Sequence, residues 1–502
     1  MNQKILGRKI IFFELNEVPF RIIDYYTQKY PNSALAQKLP QCYQYETHAV
    51  DSILSPWITW ATLHRGVDAT HHGIYHFNQN LTKINQKFPP LEQILSSNGI
   101  KTGVFGSLHS YPLPDNLDNY SFYVPDSFAT NSQCFPENLS IFQEFNLLMA
   151  RNSSRNISTK VPVEATLNLL AHLPQLGLRI PTLIDTAKQL LTEQLKPYRK
   201  NRRRTYQAVL AFDLFLKQLK STQPDFATFF TNHVASSMHR YWAALFPQDY
   251  QNFGYNDEWV SRYDGEIDFA MSKFEKFFTQ LVRFVDNHPE YTLWIASSMG
   301  QSATTAWMVK TQLNLTHSEK FMSALGIPDD AWYQTPAMFP EFGIVVKEQW
   351  VEEFGNSLSQ LSIERRLIEF AQKEDGLFAL IFGQVNLPQK KVTTALLKGR
   401  LISLEKLGLE NISIEDETNT NAYHVNSGSL LIYDPQDTSI NKNRKQLSCL
   451  EIAPMLLQNF SVKIPEYMSL LGNINNNSNR VYKDMLTTDL IHNQYINLKS
   501  KI

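Results

Sequence analysis

Four short apolar runs, each close to a segment with helical periodicity, constrain the fold of this chain more than any other feature. They are residues Lys9–Leu15, Lys101–Gly106, Asp225–Thr231 and Tyr291–Ala296. Apolar runs of this length, rich in β-preferring residues, are typical of strands buried on both faces of a parallel sheet. Helices between such strands provide the crossovers that parallel pairing needs. The sequence therefore predicts an α/β fold, with a central, mostly parallel sheet flanked by helices.

The same pattern suggests how the chain is divided. Helical periodicity dominates residues 135–222, which we expect to form a helical insertion or cap. The core would then comprise a first part, residues 1–134, and a second part, residues 223–472, that carries an inserted segment at 304–420. Residues 473–502 are rich in Asn, and we expect a loose C-terminal tail.

Composition limits the kinds of partner and the cellular compartment that we expect for this protein. The chain has 502 residues, a net charge of -1 and three widely spaced cysteines. These values give no sign of a nucleic-acid surface, a disulfide framework or a cysteine metal cluster. The basic run 196–204 is typical of a solvated face, with contact to an anionic substrate or partner as the alternative. Neither a signal peptide nor an apolar run long enough to span a bilayer is visible, so the sequence predicts a cytoplasmic protein without a membrane span.

The segment Leu54–Ile74 carries the first candidate site. Ser55 precedes Pro56, a residue favoured in the first turn of a helix, and Gly66 suits a left-handed helix end. A hydroxyl at this position lies at the positive end of the helix dipole. Such a place suits a nucleophile that attacks an anionic centre, although an ordinary helix cap has the same pattern.

A family resemblance favours the functional alternative. The order of a hydroxyl residue, Pro, Trp, a run of small residues, Thr and Leu, then Gly and His72-Gly73-Ile74 resembles the nucleophile segment of the alkaline phosphatase superfamily. The similarity is closest to the type I phosphodiesterase/nucleotide pyrophosphatase branch, with sulfatases more distant. It implies that Ser55 forms a covalent intermediate. The distance from Ser55 to Gly66 is one residue longer than usual in the family, so Thr59 is a second candidate nucleophile.

Two further stretches resemble metal-binding segments of that family. His239-Arg240-Tyr241-Trp242 matches the loop whose His binds one of two metal ions, and His424 matches the last metal-binding His. The resemblance implies a site made by His239 and His424, with His233 or Asn232 as the third ligand. Arg240 would contribute to binding of an anionic substrate.

Other positions depart from the family. Asn16 stands where the family has a metal-binding Asp, and Ser298-Met299 stands where it has Asp-His within the Ser-x-x-Gly turn 297–300. Neutral amide, hydroxyl and thioether groups are poor ligands for a second divalent ion. We therefore expect at most one metal ion, with zinc favoured by imidazole ligands, and leave open that none is bound. Asn16 and Ser298 would instead contact the substrate.

Without the second ion, the nucleophile needs another activator. Glu14, Glu17 or His72 would have to act as the base for the Ser55 hydroxyl. The sequence thus predicts a hydrolase or group transferase acting on a small phosphate or sulfate ester. The alternative is a degenerate member of the superfamily that binds an anionic ligand or a protein partner without turnover.

Overall fold

The computed structural model describes residues 7–151, 156, 162–337, 341–388, 393–437, 439–440 and 443–469. The chain divides into two compact units, Met1–Lys310 with Ser413–Lys463, and Thr311–Ile412 with the chain from Ile464. The domain boundaries expected from the sequence stay a prediction, and the expected tail 473–502 lies outside the described residues. Within the described ranges, no helix has the length and apolarity needed to cross a bilayer.

Strands occur throughout both units. In chain order they are β1 (Lys9–Leu15), β2 (Tyr43–His48), β3 (Thr102–Phe105), β4 (Tyr120–Val124), β5 (Phe226–Thr231), β6 (Phe253–Gly254), β7 (Tyr291–Ala296), β8 (Gly300–Ala303), β9 (Ala306–Trp307), β10 (Thr311–Leu315), β11 (Trp332–Thr335), β12 (Glu341–Val346), β13 (Leu361–Ile363), β14 (Arg366–Leu367), β15 (Glu369–Gln372), β16 (Leu377–Ile381), β17 (Thr394–Leu397), β18 (Arg400–Ser403), β19 (Leu409–Ser413), β20 (Ala422–Val425), β21 (Ser427–Tyr433) and β22 (Lys445–Ser448).

Helices occur in both units, and in the first unit they separate most of the strands. In chain order they are α1 (Phe20–Lys29), α2 (Ala34–Lys38), α3 (Pro56–Arg65), α4 (Ala69–His72), α5 (Thr82–Lys87), α6 (Leu91–Ser97), α7 (Ser140–Arg151), α8 (Val163–Ala171), α9 (Leu173–Leu176), α10 (Ile180–Leu195), α11 (Arg203–Thr222), α12 (His233–Leu245), α13 (Asp257–Tyr263), α14 (Glu266–Asn287), α15 (Ser318–Leu325), α16 (Val351–Ser359), α17 (Ile452–Asn459) and α18 (Glu466–Ser469).

The first unit is built around an eight-stranded sheet in the order β22-β2-β21-β7-β1-β5-β3-β4. Strand β21 is antiparallel to its neighbours β2 and β7, and the other pairings in this sheet are parallel. The predicted α/β fold with a mostly parallel central sheet is therefore confirmed. The predicted bounds of β1 and β7 match those observed.

Alternating residues of β1 bind the two helical layers to the sheet. On one face, Phe13 packs against Phe229 and against Phe274 and Phe277 of α14, with ring centroids 5.3 to 6.4 Å apart. On the other face, Glu14 meets a side chain of α3. Since successive side chains of a strand point to opposite faces, β1 is buried from both sides, as its unbroken apolar run predicts.

Several polar turns meet at one edge of this sheet. Leu15 of β1 lies opposite Thr231 of β5, and Glu14 lies opposite Ala296 of β7, so these three strands end side by side. The turns that follow them contain Asn16, Asn232 and Ser298 in turn. Crevices at the carboxyl ends of parallel strands are the usual ligand sites of open α/β sheets.

One helix prediction was wrong. The sequence predicts a single helix over Asn256–Asn287, whereas the structure has α13 and α14, separated at Asp264 and Gly265. Gly265 takes a non-helical conformation before the first turn of α14. The apolar periodicity continues across this break, so the pattern alone could not reveal it.

The second unit is mainly antiparallel. It contains a sheet of order β11-β12-β16-β15 and another of order β14-β13-β17-β18, together with α15 and α16. Its buried apolar residues, among them Phe321, Phe354 and Phe378, form a hydrophobic core within this unit.

Candidate active site

The start of α3 places Ser55 as the sequence predicts. Ser55 is the N-cap residue, Pro56 begins the helix, and Gly66 ends it with a left-handed conformation at φ 60°. The side chain of Ser55 makes no capping hydrogen bond, and its backbone carbonyl accepts the N–H of Thr59 at 2.8 Å. The hydroxyl of Ser55 is half-buried, lies at the positive end of α3 and forms no capping hydrogen bond.

Thr59, the other candidate nucleophile, is buried inside the protein. Its Oγ1 lies 2.8 Å from Oγ of Ser298 and 3.1 Å from the Ser55 carbonyl oxygen. Ser298 is likewise buried. This hydrogen bond between two buried hydroxyl groups supports α3 against the turn after β7, and neither group is placed to meet a substrate from solvent.

Glu17, His239 and His424 form the group best suited to bind a cation. Oε2 of Glu17 lies 3.0 Å from Nε2 of His239 and 3.4 Å from Nε2 of His424. One ligand atom from each residue lies within 4.8 Å of the others. Among the described residues, this is the only such cluster of three His, Cys, Asp or Glu side chains.

Backbone carbonyl groups fix both imidazoles in the orientation a metal requires. Nδ1 of His239 lies 2.7 Å from the carbonyl oxygen of Ala422, and Nδ1 of His424 lies 2.7 Å from that of Leu54. Since a carbonyl oxygen only accepts, each Nδ1 carries a proton, and Nε2 of each ring is the atom that can bind an ion. Such partners are typical around metal-binding histidines.

Glu17 is held in an unusual conformation. Its φ is 59°, in the left-handed region that non-glycine residues rarely adopt, and its side chain is buried. Asn16 donates from Nδ2 to Oε1 of Glu17 at 2.8 Å, and Gln301 donates from Nε2 to Oε2. Backbone strain of this kind is found at functional sites where the surroundings enforce it.

Electrostatic interactions within the cluster shift the pKa values of Glu17 and His239. Burial raises the pKa of the Glu17 carboxyl, but His424 and His239 lower it by more, so this pKa lies well below its ordinary value. Burial lowers the pKa of the His239 imidazole, but the Glu17 carboxylate raises it by more. The buried carboxylate therefore stays ionised. Two imidazoles and one carboxylate form a donor set that suits a divalent ion such as zinc.

The third member of this group differs from the predicted one. His233, expected as a ligand, is buried, its Nδ1 lies 2.7 Å from Oγ1 of Thr231, and its ring packs on Phe277. Asn232 accepts a hydrogen bond from Asn16 at 2.7 Å. The structure thus brings Glu17, which was predicted only as a base, beside the two imidazoles.

Gln301, which contacts Glu17, was not predicted from the sequence as part of the site. Gln301 lies opposite His424 in the antiparallel pair of β8 and β20, directly after the Ser-x-x-Gly turn. Gly300 permits this pairing, because a Cβ there would lie 2.1 Å from the carbonyl oxygen of Ser427. The Gly in that turn was the available signal for a close strand approach at this point.

Asn16 positions the cluster. Its Oδ1 accepts the indole N–H of Trp60 at 2.8 Å, and its Nδ2 donates to both Glu17 and Asn232. Its amide is thus fully used within the protein, so the structure shows a support for Glu17 where we expected a substrate contact.

Glu14 and His72, two of the candidate bases, have other partners. Oε1 of Glu14 lies 2.7 Å from Nε2 of His64, and both side chains are buried. His72 accepts the N–H of Ile74 at Nδ1 and pairs with Oγ1 of Thr62 at Nε2. Burial, joined by the charge of Arg65, lowers the pKa of His72 to about 3. The structure does not bring either residue to Ser55.

Arg240 is paired within the protein. Its Nη1 lies 2.6 Å from Oδ2 of the buried Asp416. The basic run 196–204 is paired in the same manner, since Arg202 meets Glu266 at 2.7 Å, and Lys200 and Arg203 form ion pairs with Glu415 and Glu193. The side chains of Lys200, Arg202 and Arg203 are 12 to 15% exposed, so this part of the run packs against the protein and is not the solvated face that the sequence predicts.

Comparison with known proteins gives a result only at the level of structure. No family model matches the sequence. No curated protein matches it either. Murine ectonucleotide pyrophosphatase/phosphodiesterase 5, solved also as an inactive variant in complex with AMP, is similar at 11% identity and a TM-score of 0.39. Phosphonoacetate hydrolase from Sinorhizobium meliloti 1021, in complex with phosphonoformate, is similar at 10% identity and a TM-score of 0.40.

Both matches are extensive in length, covering 91% of this chain and 96% of the other. At these identities and TM-scores, the chemistry of the site has to be decided from the residues of this chain.

Proposed function

We propose that this protein is a hydrolase or group transferase that acts on a small phosphate or sulfate ester, with one divalent ion and the Ser55 hydroxyl as nucleophile. The observation that carries the proposal is the hydrogen bond from Nδ1 of His424 to the carbonyl oxygen of Leu54, at 2.7 Å. This bond joins the His-His-Glu cluster to the residue before Ser55. The candidate ligands and the candidate nucleophile are therefore parts of one connected site.

Glu17, His239 and His424 would hold the ion. An ion bound there supplies Lewis acidity toward an oxygen of the ester. The protein supplies the rest of the site: Asn16 and Gln301 orient the carboxylate of Glu17, and two backbone carbonyls orient the imidazoles. The positive end of α3 favours an anionic group near Ser55.

Ser55 is favoured over Thr59 by exposure and by hydrogen bonding. Ser55 is half-buried and does not cap its helix, whereas Thr59 is buried and bonded to Ser298. None of the three candidate bases is assigned to Ser55: Glu17 would hold the ion, and Glu14 and His72 have other partners.

The test is a substrate panel assayed with the full chain after metal removal and after addition of zinc, manganese or magnesium. Phosphate monoesters, phosphate diesters, sulfate esters and nucleotides form the panel. We expect metal-dependent turnover of one class, its loss in S55A, and its retention in S52A, a matched serine in the exposed part of the same loop. Equal turnover in S55A and wild type would refute the assignment of Ser55 as the nucleophile. Turnover in metal-free protein would refute the requirement for a metal ion.

Binding without turnover is the second candidate, and one observation favours it. At the place where two-metal relatives would need a further set of ligands, Ser298 is bonded to Thr59, and the thioether of Met299 is fully buried. A two-ion clamp on both attacking and leaving oxygens is thus not provided by these residues. Calorimetric titration of the zinc-loaded protein with AMP, phosphate and sulfate separates the candidates: binding with no turnover of the whole panel would favour this one.

A further inference from the structure

Helix α10 has its polar side turned into the protein and its apolar side turned out. Gln189 and Glu193 are each 5% exposed, whereas Leu191 is 70% and Leu195 86% exposed. In a water-exposed helix of a globular protein, the apolar side normally faces the core. The reversed arrangement indicates that something other than water meets the outer side.

The inward polar contacts show that this orientation is built into the fold. Gln189 donates from Nε2 to the carbonyl oxygen of Arg199 at 2.9 Å. Glu193 is paired with Arg203, and Asp185 with Lys273. Rotating α10 to bury its apolar side would break these contacts and leave charged groups without partners.

The outer stripe of α10 consists of Ile180, Ile184, Ala187, Leu191 and Leu195, all exposed. Their spacing of four, three, four and four residues places them on one helix face, over a length of about 22 Å. Helix α8 repeats the pattern with exposed apolar residues at positions 163, 167 and 170. Contiguous apolar surface of this kind marks an interaction site.

The unpaired charges of α10 and of its C-cap residue, Lys196, are positive, whereas α8 carries the exposed side chain of Glu164. Among the described residues, no ion pair is formed by the exposed side chains of Lys188 and Lys196. The acidic residues of α10, Asp185 and Glu193, are neutralised from inside the protein, as noted above. The aliphatic residues of the outer stripe are thus accompanied by one unpaired cation within α10, Lys188, and one at its C-cap, Lys196.

We propose that the outer stripe of α10 binds to the surface of a bilayer that contains anionic lipids. Aliphatic side chains would enter the boundary between headgroups and acyl chains, and Lys188 and Lys196 would reach the phosphate groups. This is surface attachment, since no described helix is long and apolar enough to span a bilayer. Each juxtamembrane lysine adds attraction to an anionic surface.

A second copy of the chain fits this stripe less well. In a two-fold symmetric, antiparallel pairing of α10, the residues midway along the helix meet their own counterparts. Lys188 lies next to that midpoint, so two like charges would be brought together. An anionic lipid surface has the opposite charge and therefore complements the same lysines.

Cosedimentation of the full chain with lipid vesicles tests the proposal. The vesicles contain equal amounts of phosphatidylglycerol and phosphatidylcholine, or phosphatidylcholine alone, at low salt and at 0.5 M salt. We expect at least about tenfold tighter binding to the anionic vesicles, reduced by salt. The triple variant I184Q/L191Q/L195Q should lose at least about tenfold in affinity for them.

Two further variants keep the result interpretable. K188E/K196E keeps the apolar stripe and should weaken binding to the anionic vesicles alone. L367Q/L401Q changes two exposed leucines of the second unit and should bind as wild type does. Circular dichroism and thermal melting establish that each variant is folded.

Three outcomes would overturn the proposal. The first is wild-type protein that does not sediment with either type of vesicle. The second is an equal loss of binding in L367Q/L401Q and the triple variant. The third is a wild-type dimer that the triple variant converts to a monomer in analytical ultracentrifugation, which would assign the stripe to a second copy.

Discussion

The imidazole of His424 donates from Nδ1 to the carbonyl oxygen of Leu54, the residue before Ser55, at 2.7 Å. One side chain therefore has two tasks, since its Nε2 faces Glu17 while its Nδ1 holds the entry to α3. Substitutions that remove one task and keep the other can separate metal binding from the placement of the nucleophile.

The first prediction concerns metal content. We expect one divalent ion per chain in wild type, and a loss of affinity of more than about a hundredfold in H424N, because asparagine lacks a group at Nε2. The asparagine amide can still donate to Leu54, so H424N should keep the α3 entry intact, whereas H424A should disturb it. Elemental analysis after dialysis against buffered zinc measures the ion.

The control for this experiment is H233N. Asparagine can replace Nδ1 of His233 in its bond to Thr231, and the structure places His233 outside the cluster. Metal content should therefore match wild type. A loss of metal in H233N would contradict the His-His-Glu assignment, and two ions per wild-type chain would contradict the prediction of a single ion.

The second prediction separates Ser55 from Thr59 by stability. T59A should lower the free energy of unfolding by about 1–3 kcal/mol, because the buried Ser298 hydroxyl loses its partner. T59S keeps a hydroxyl and should recover most of this loss. S55A should change stability by less than about 0.5 kcal/mol, since its side chain does not cap the helix. Urea denaturation of the three variants gives the values, and a larger cost for S55A would count against the assignment.

The third prediction concerns the contribution of Glu14 to the free energy of unfolding. Burial lowers the pKa of its partner His64, but the charge and hydrogen bond of Glu14 raise it by more. Breaking a buried pair leaves a group uncompensated, so E14Q should lower the free energy of unfolding by about 3–5 kcal/mol. The double variant E14Q/H64Q, which can form an amide-to-amide hydrogen bond, should recover part of it. If E14Q had the stability of wild type but lost turnover, Glu14 would instead be assigned as a catalytic base.

The fourth prediction is a pH dependence of stability from Asp126. Burial raises the pKa of this carboxyl to about 6, against hydrogen bonds from Phe128, Ser110 and His109 that lower it. The folded state therefore holds a proton that the unfolded state has lost between about pH 4 and pH 6. This contribution favours folding at low pH and is lost as the pH rises through the folded-state value.

D126N removes that titration while its side-chain oxygen can still accept from Phe128 at the 2.8 Å position. Relative to wild type, D126N should gain up to about 3 kcal/mol at pH 8 and less as the pH falls toward 4. Denaturant unfolding at pH 4, 6 and 8 measures the difference. A difference that does not vary with pH would contradict the assigned shift.

The sheet could be predicted from the sequence because its strands are buried from both sides. In β1, the four positions from Ile10 to Phe13 are apolar and buried on both faces, so the centre of the strand appears as a continuous apolar run. Helix boundaries are harder to predict from the sequence. The apolar pattern of α13 continues into α14, and only the backbone at Gly265 separates the two helices. Periodicity reports which face is buried and carries little information on where a helix is interrupted.

The candidate site could be predicted only in part. The structure places His239 and His424 side by side, as the motifs implied. The third position depends on side-chain direction: Glu17 turns toward the histidines because its backbone is left-handed, and His233 turns into the core against Phe277. Spacing along the chain encodes neither direction. The partners of Glu14 and His72 come from α3 and from a local turn, and they too depend on packing.

The left-handed backbone at Glu17 has a consequence for laboratory evolution of this protein. Glycine adopts that conformation without a steric penalty, so Glu17→Gly would relieve on the order of 1 kcal/mol while deleting the carboxylate. This relief is smaller than the cost of removing a buried carboxylate from its partners Asn16, Gln301 and the two histidines. Even a library screened only for resistance to heat should therefore retain glutamate at position 17.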